Sequence, residues 1–292
     1  KIMSKVLVAT HGFFGDIAFA SGLAEELRNE YDAVDYLIGF PQMKSLIKNN
    51  PFIRSVYVSR PFGPITRVDQ VPIRYDKIIE LGPLGFEEPP VTEYKARLGL
   101  KNLDPSYKLY TNKEYDLKVR ELFMTLPKDK KVIGVMGNWK ERTFLFNKKQ
   151  YKAGIDVPNK GYGGANRNIE YIIRELSEEF TILELGVKGK SQINTIGIGD
   201  ENQKSILFEA SIMKYCDAFV GAEGGLCNLA AGVGTRTIIT GDFVHQLYGP
   251  NGVIKKLKEP KLGPKYYFKE GHITLDPYLT DKQVVKQIKE LV

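Results

Sequence analysis

The chain has 292 residues, 42% apolar and 26% charged, a balance that excludes a disordered or fibrous polypeptide and suits about two domains. Lys and Arg number 42 against 35 Asp and Glu, and the resulting net charge of +7 favours an anionic ligand or partner without specifying one. Cys216 and Cys227 have no CxxC spacing and His11, His245 and His272 lie far apart, so no disulfide framework or metal site is expected. No run approaches the ~18 apolar residues of a membrane span, and Lys1-Ile-Met-Ser-Lys5 leads into a strand pattern rather than a secretory signal, which points to a soluble, cytoplasmic protein.

Lys5-Val-Leu-Val-Ala-Thr10 is a continuous apolar run of the buried-strand kind. From Asp16 to Tyr31, apolar residues recur at helical spacing (Ile17, Ala20, Leu23, Ala24, Leu27), predicting a helix of about four turns. Val34–Gly39 supplies a second strand, and strand, helix, strand implies a parallel, right-handed connection. A helix near Gln42–Lys48 follows, then strands at Ser55–Val58 and Asp76–Leu81, and a stretch to Pro90 too rich in Gly and Pro for either element. Asn112–Leu126 reads as a helix capped by Asn or Thr.

The composition then turns polar, and Val132-Ile-Gly-Val-Met136 restarts a buried strand. The expected division is therefore a first domain over 1–128, a second over 129–278 and a closing segment over 279–292, packing back on the first. The second half alternates again: helix Asn166–Glu179, strand Phe180–Leu185, helix Ser205–Tyr215, strand Ala218–Gly221, helix Gly225–Val233, strand Thr235–Thr240 and a last helix Thr280–Leu291. Two doubly wound, Rossmann-like α/β domains facing a central cleft are the simplest architecture, with ligands beyond the carboxyl ends of the strands.

Three stretches carry chemistry. In His11-Gly-Phe-Phe-Gly-Asp16, Gly12 and Gly15 permit close approach of a ligand, and Asp16 falls where the helix wants an N-cap. In Phe219-Val-Gly-Ala-Glu-Gly-Gly-Leu-Cys-Asn228, a strand ends in a Gly-Gly turn and a helix of small residues begins. Its first N–H groups suit a diphosphate, while Glu223 suits the hydroxyls of a ribose or sugar. A turn chosen for packing alone is the alternative there. The third stretch, Lys140 to Arg167, interleaves seven basic residues with Phe144, Phe146, Tyr151 and Tyr162, and Lys255–Lys269 repeats the theme. Gly189-Lys-Ser191 lacks Walker spacing because Glu184 stands where a Gly is needed, and no Asp-x-Asp occurs.

The strand followed by Gly15-Asp16-Ile17, and the block Phe219-Val-Gly-Ala-Glu-Gly-Gly-Leu-Cys-Asn-Leu-Ala-Ala-Gly-Val-Gly234, resemble glycosyltransferase family 9, the heptosyltransferase-like group. Tyr248-Gly-Pro250 resembles a Gly-Pro after that family's next strand. The chain departs from the family's Asp, Thr and His with Glu223, Gly224 and Asn228. The resemblance implies the GT-B fold and metal-independent, inverting transfer of a sugar from a nucleoside-diphosphate sugar to a saccharide hydroxyl, with no further cofactor. It implies Asp16 as general base and Gly12, Gly15, Lys188, Lys190, Glu223, Gly224, Gly225 and Asn228 on the donor, with Arg142 and His11 on acceptor or phosphate. Glu80, Glu87 and Glu88 stand next in line as base. The basic, aromatic stretches keep a modified base in DNA as an alternative acceptor. The altered Glu223 and Asn228 keep a catalytically silent nucleotide-sugar-binding module as another.

Overall fold

The computed structural model of the chain describes residues 4–12, 14–82, 90–136, 168–186, 196–197, 206–221, 224–240, 272–275 and 279–292. The first half contains β1 (Lys5–Thr10), α1 (Phe14–Ser21), α2 (Ala24–Leu27), β2 (Ala33–Ile38), α3 (Lys44–Lys48), β3 (Ser55–Val58), β4 (Lys77–Leu81), α4 (Pro90–Leu98) and α5 (Lys113–Met124). The second contains β5 (Val132–Met136), α6 (Ile169–Ser177), β6 (Thr181–Leu185), β7 (Ile196–Gly197), α7 (Ile206–Tyr215), β8 (Ala218–Gly221), α8 (Gly225–Gly232), β9 (Thr237–Ile239), β10 (His272–Thr274) and α9 (Asp281–Leu291).

The strands form two sheets, one of four in the order β3-β2-β1-β4 and one of six in the order β10-β9-β8-β5-β6-β7. Every pairing is parallel. Strands buried on both faces need no polar alternation, which is why β2 and β5 are buried along their whole length. In the first sheet the chain runs outward from β1 to β3 and then crosses back to β4. In the second it runs from β5 to β7 and crosses back to β8. Each crossing leaves a crevice beyond the carboxyl ends of two neighbouring strands, β1 with β4 and β5 with β8, where loops diverge and ligands fit.

The expected four-turn helix is two short ones, α1 and α2, broken at Gly22. Tyr107 lies over that glycine, and a Cβ there would stand 2.8 Å from the Cβ of Tyr107. A continued helix with a side chain would collide with it. Helix α4, unforeseen in the sequence, buries Val91, Tyr94, Lys95 and Leu98, one stripe of its surface, in the core shared with Val6 and Val8. The opposite face of the first sheet (Leu7, Ala9, Leu37) is packed by Val68, Val71 and Tyr75 of the connection between β3 and β4.

The sequence predicts that the closing helix packs back on the first domain; α9 instead packs on the second half. Its buried Val284, Val285 and Ile288 pack toward α6 of the second half. Lys289 pairs with Glu179 at 2.6 Å, and the Asn168 N–H donates to Asp281 Oδ2 at 2.9 Å. An apolar stripe settles on the nearest uncovered apolar surface, and α6 supplies it with Ile172, Ile173 and Leu176. The caps at Asn112, Asn168 and Thr280 stand where polar residues precede apolar periodicity, each accepting a first-turn N–H.

Candidate functional site

The crevice of the first sheet begins where β1 ends. The His11 N–H donates to Leu81 O at 2.8 Å, prolonging the β1–β4 contact by one residue. The Thr66 backbone N–H, which can only donate, points at His11 Nδ1 from 3.0 Å. Nδ1 must therefore accept, which leaves the proton of the neutral ring on Nε2, 2.9 Å from Glu80 Oε2. Both ring nitrogens are engaged within the protein, so the group this pair presents to the crevice is the half-exposed Glu80 carboxylate rather than the imidazole.

Gly12 has φ +136°, a conformation side chains rarely adopt, and its N–H donates to Pro64 O at 2.7 Å. The bend folds Asp16 back over it: a Cβ on Gly12 would stand 2.4 Å from Asp16 Oδ2. The other oxygen, Oδ1, accepts from the hydroxyl of the buried Tyr94, 3.2 Å away on α4. Asp16 is the third residue of α1, within the first turn, rather than its N-cap. There it complements the positive end of the helix, but the capping role expected of it does not apply. Tyr94 was invisible to sequence reasoning: the spacing of Val91, Tyr94, Lys95 and Leu98 could have announced a helix, but nothing local announces which residue its tip reaches.

The second crevice lies at the start of α8. Gly224 precedes the helix and offers no side-chain cap, so the first-turn N–H groups are not satisfied by a capping side chain. This end meets the start of α1 directly: a Cβ on Gly225 would stand 3.3 Å from Phe14 Cβ, and one on Gly15 would stand 2.4 Å from Asn228 Nδ2. The space over Gly15, expected to admit a ligand, is thus taken by Asn228, itself 4% exposed. Asn228 joins the two helices instead of facing open solvent. The contact is locked by Tyr107 and Leu109. The Tyr107 hydroxyl, kept protonated by burial, donates to Asn228 O, and the Leu109 N–H donates to Gly232 O at 2.8 Å. Gly22 and Gly232 supply the room for this strap.

On the flank of the second crevice, Glu209 of α7 accepts from the Gly186 N–H at 3.2 Å, and burial pushes its carboxyl up to about 7. Among the described residues no cluster of His, Cys, Asp or Glu could hold a metal ion. No described helix is long and apolar enough to cross a membrane. Arg142, Lys188, Lys190, Glu223, Glu87 and Glu88 lie outside the described residues, as do the basic stretches 140–167 and 255–269 and the Gly-Pro at 249–250.

No protein-family model matches the chain, and no curated protein does. Solved structures do resemble it. A glycosyl transferase family 9 protein from Veillonella parvula superposes with a TM-score of 0.64 at 12% identity, covering 99% of this chain and 97% of that one. The E. coli ADP-heptose LPS heptosyltransferase II gives 0.59 at 12% identity over 98% of both chains. E. coli heptosyltransferase WaaC, solved with ADP-2-deoxy-2-fluoro heptose, gives 0.55 at 10% identity over 99% of this chain and all of that one. The likeness is one of fold: the chain has the GT-B arrangement along nearly its whole length.

Proposed function

We propose that the chain is a glycosyltransferase moving a sugar from a nucleoside-diphosphate sugar to a saccharide hydroxyl, with inversion at the anomeric carbon and without a metal. One observation carries the reading: Asp16, with one carboxylate oxygen held by the Tyr94 hydroxyl and the other lying over Gly12, stands on the helix that packs against the start of α8, where Gly224 offers no side-chain cap. In this reading the Asp16 carboxylate takes the proton of the acceptor hydroxyl as its oxygen bonds to the anomeric carbon. The bond to the diphosphate breaks, and its electron pair leaves with the phosphate oxygen. The added negative charge falls on the N–H groups of Gly224, Gly225 and the turn they open, with Lys188, Lys190 and Arg142 as cations around it. Glu223 takes hydroxyls of the donor, and Glu80, aimed by His11, takes a hydroxyl of the acceptor. The shared fold with heptosyltransferases supports the donor class.

The test is a thermal-shift screen of nucleoside diphosphates and their sugar adducts. A ligand at one hundred times its Kd stabilises by about 2.7 kcal/mol and raises Tm by several degrees. The donor so found is then assayed for release of its diphosphate in the presence of saccharide acceptors. If no nucleoside diphosphate or nucleotide sugar moves the melting temperature, the start of α8 is not a donor site and the reading fails.

A further inference from the structure

Seven large apolar side chains stand out as exposed among the described residues, and four of them fall between positions 62 and 78: Phe62, Ile65, Ile73 and Ile78, at 58%, 71%, 39% and 48% exposure. All four belong to β4 and the connection before it, the segment that covers the outer face of the first sheet. Ile78 is in register with Leu7 of that face. The segment is braced rather than loose. Gln70 accepts from the Arg60 N–H at 2.7 Å and donates to the Arg60 carbonyl, closing a loop from which Phe62 and Ile65 project. The Arg67 N–H donates to Ser59 Oγ at 2.9 Å, and Gly63 and Pro64 bond to Gly39 and Gly12. Exposed apolar groups on so fixed a frame cannot relieve their exposure by collapsing inward.

Each of the four has an exposed basic residue one or two positions away: Arg60 by Phe62, Arg67 by Ile65, Arg74 by Ile73 and Lys77 by Ile78. The Arg60 guanidinium lies over the Phe62 ring, 5.8 Å from its centroid. Of the two acids in the stretch, Asp69 pairs with Arg67 at 3.1 Å, and Asp76 accepts from the Lys5 N–H at 2.7 Å. Arg60, Arg74 and Lys77 form no ion pair among the described residues. Large apolar side chains interleaved with cations that pair with no acid suit the boundary between acyl chains and lipid phosphates, where an anionic surface attracts each such cation by about 1 kcal/mol.

We propose that this face, from Arg60 to Ile78, is a docking surface for an anionic lipid bilayer, with Phe62, Ile65, Ile73 and Ile78 entering the acyl boundary and Arg60, Arg74 and Lys77 on the lipid phosphates. The inference does not depend on the sugar-transfer reading. It would set the rim of the first crevice, where Pro64 and Thr66 touch Gly12 and His11, beside the membrane surface.

Vesicle co-sedimentation tests it. The full chain is mixed with vesicles of phosphatidylcholine and phosphatidylglycerol in equal parts, and with vesicles of phosphatidylcholine alone. Binding is expected on the anionic vesicles, falling with added salt, and weaker on the neutral ones. Arg74→Gln and Lys77→Gln should each lower partitioning about fivefold. Phe62→Ser and Ile65→Ser should each lower it about tenfold. Leu117→Ser and Met124→Ser, at exposed apolar positions on α5, should leave it unchanged. The proposal is overturned if the parent chain ignores anionic vesicles, or if the α5 substitutions weaken binding as much as those in the segment. It is equally overturned if Phe62→Ser abolishes self-association while vesicle binding is absent, which would make the face a contact between copies.

Discussion

Replacing Gly12 by Ala should dissociate stability from turnover in a way that only an aligned Asp16 explains. The new Cβ would stand 2.4 Å from Asp16 Oδ2, 2.6 Å from its Cγ and 2.7 Å from its Cβ. An ordinary contact is about 1 Å longer, and because the Asp16 Cβ is also too close, rotating the carboxylate does not remove the clash. The first turn of α1 has to retreat. A misplacement of about 1 Å in a reacting group costs roughly 10²-fold in rate. The strain of a side chain at φ +136° adds about 1–3 kcal/mol against folding, a fall in Tm of several degrees. Gly99→Ala isolates the strain, since Gly99 also has positive φ (+78°) but nothing within 4 Å of its Cβ position. Calorimetry should show both variants less stable than the parent. Release of diphosphate from the donor, measured well below either melting temperature, should fall about a hundredfold in Gly12→Ala alone. A folded Gly12→Ala protein turning over within a few-fold of the parent would refute the alignment of Asp16 as the base.

Asp16→Asn should keep the Tyr94 contact through its amide oxygen and lose only about 0.3–1 kcal/mol at the start of α1, while turnover falls roughly 10²–10⁴-fold with donor affinity unchanged in titration calorimetry. Near-normal turnover would pass the role to Glu80. Glu209, pushed by burial from its ordinary 4.5 up to about 7, holds a proton in the folded chain that the unfolded chain releases, so its contribution to stability declines as pH rises through that window and levels off above it. Glu209→Gln should therefore be more stable than the parent above about pH 7, by an amount on the order of 3 kcal/mol in urea melts, with the gap closing toward about pH 5; parallel curves would contradict the burial argument. Lys95 is fully buried and its Nζ lies 2.8 Å from Glu26 Oε1, the carboxylate being 32% exposed. Glu26→Ala strands a buried cation and should cost about 3–5 kcal/mol, whereas Lys95→Met leaves a carboxylate that water can reach and should cost about 1 kcal/mol; a Glu26→Ala loss no larger than that of Lys95→Met in denaturant titrations would refute the stranded-cation argument.

The alternation of strand and helix was legible because its signals are local. Val6 to Thr10 and Val132 to Met136 are continuous apolar runs that only a strand buried on both faces accommodates, and parallel pairing follows from the helices between them. The caps at Asn112, Asn168 and Thr280 are local too, since the bond each makes spans three residues. The Gly15-Asp16 turn and the Gly224-Gly225 turn were legible as places where a strand hands over to a helix, and both lie at crevices of their sheets.

Tertiary structure decided the rest. Whether Asp16 caps α1 or sits within its first turn depends on where Phe14 is placed, and Phe14 packs on Phe40 of the loop after β2 and lies against Gly225 at the start of α8. Tyr94 reaches Asp16 across 78 positions, His11 finds Thr66 across 55 and Glu80 across 69, and Tyr107 holds Asn228 across 121. The break at Gly22 and the docking of α9 on α6 are of the same kind. Periodicity and capping record what a residue needs from its near neighbours in the chain. A hydrogen bond or a packed ring between distant segments requires only that each residue be tolerated locally, so it leaves no mark on either stretch until the fold brings them together.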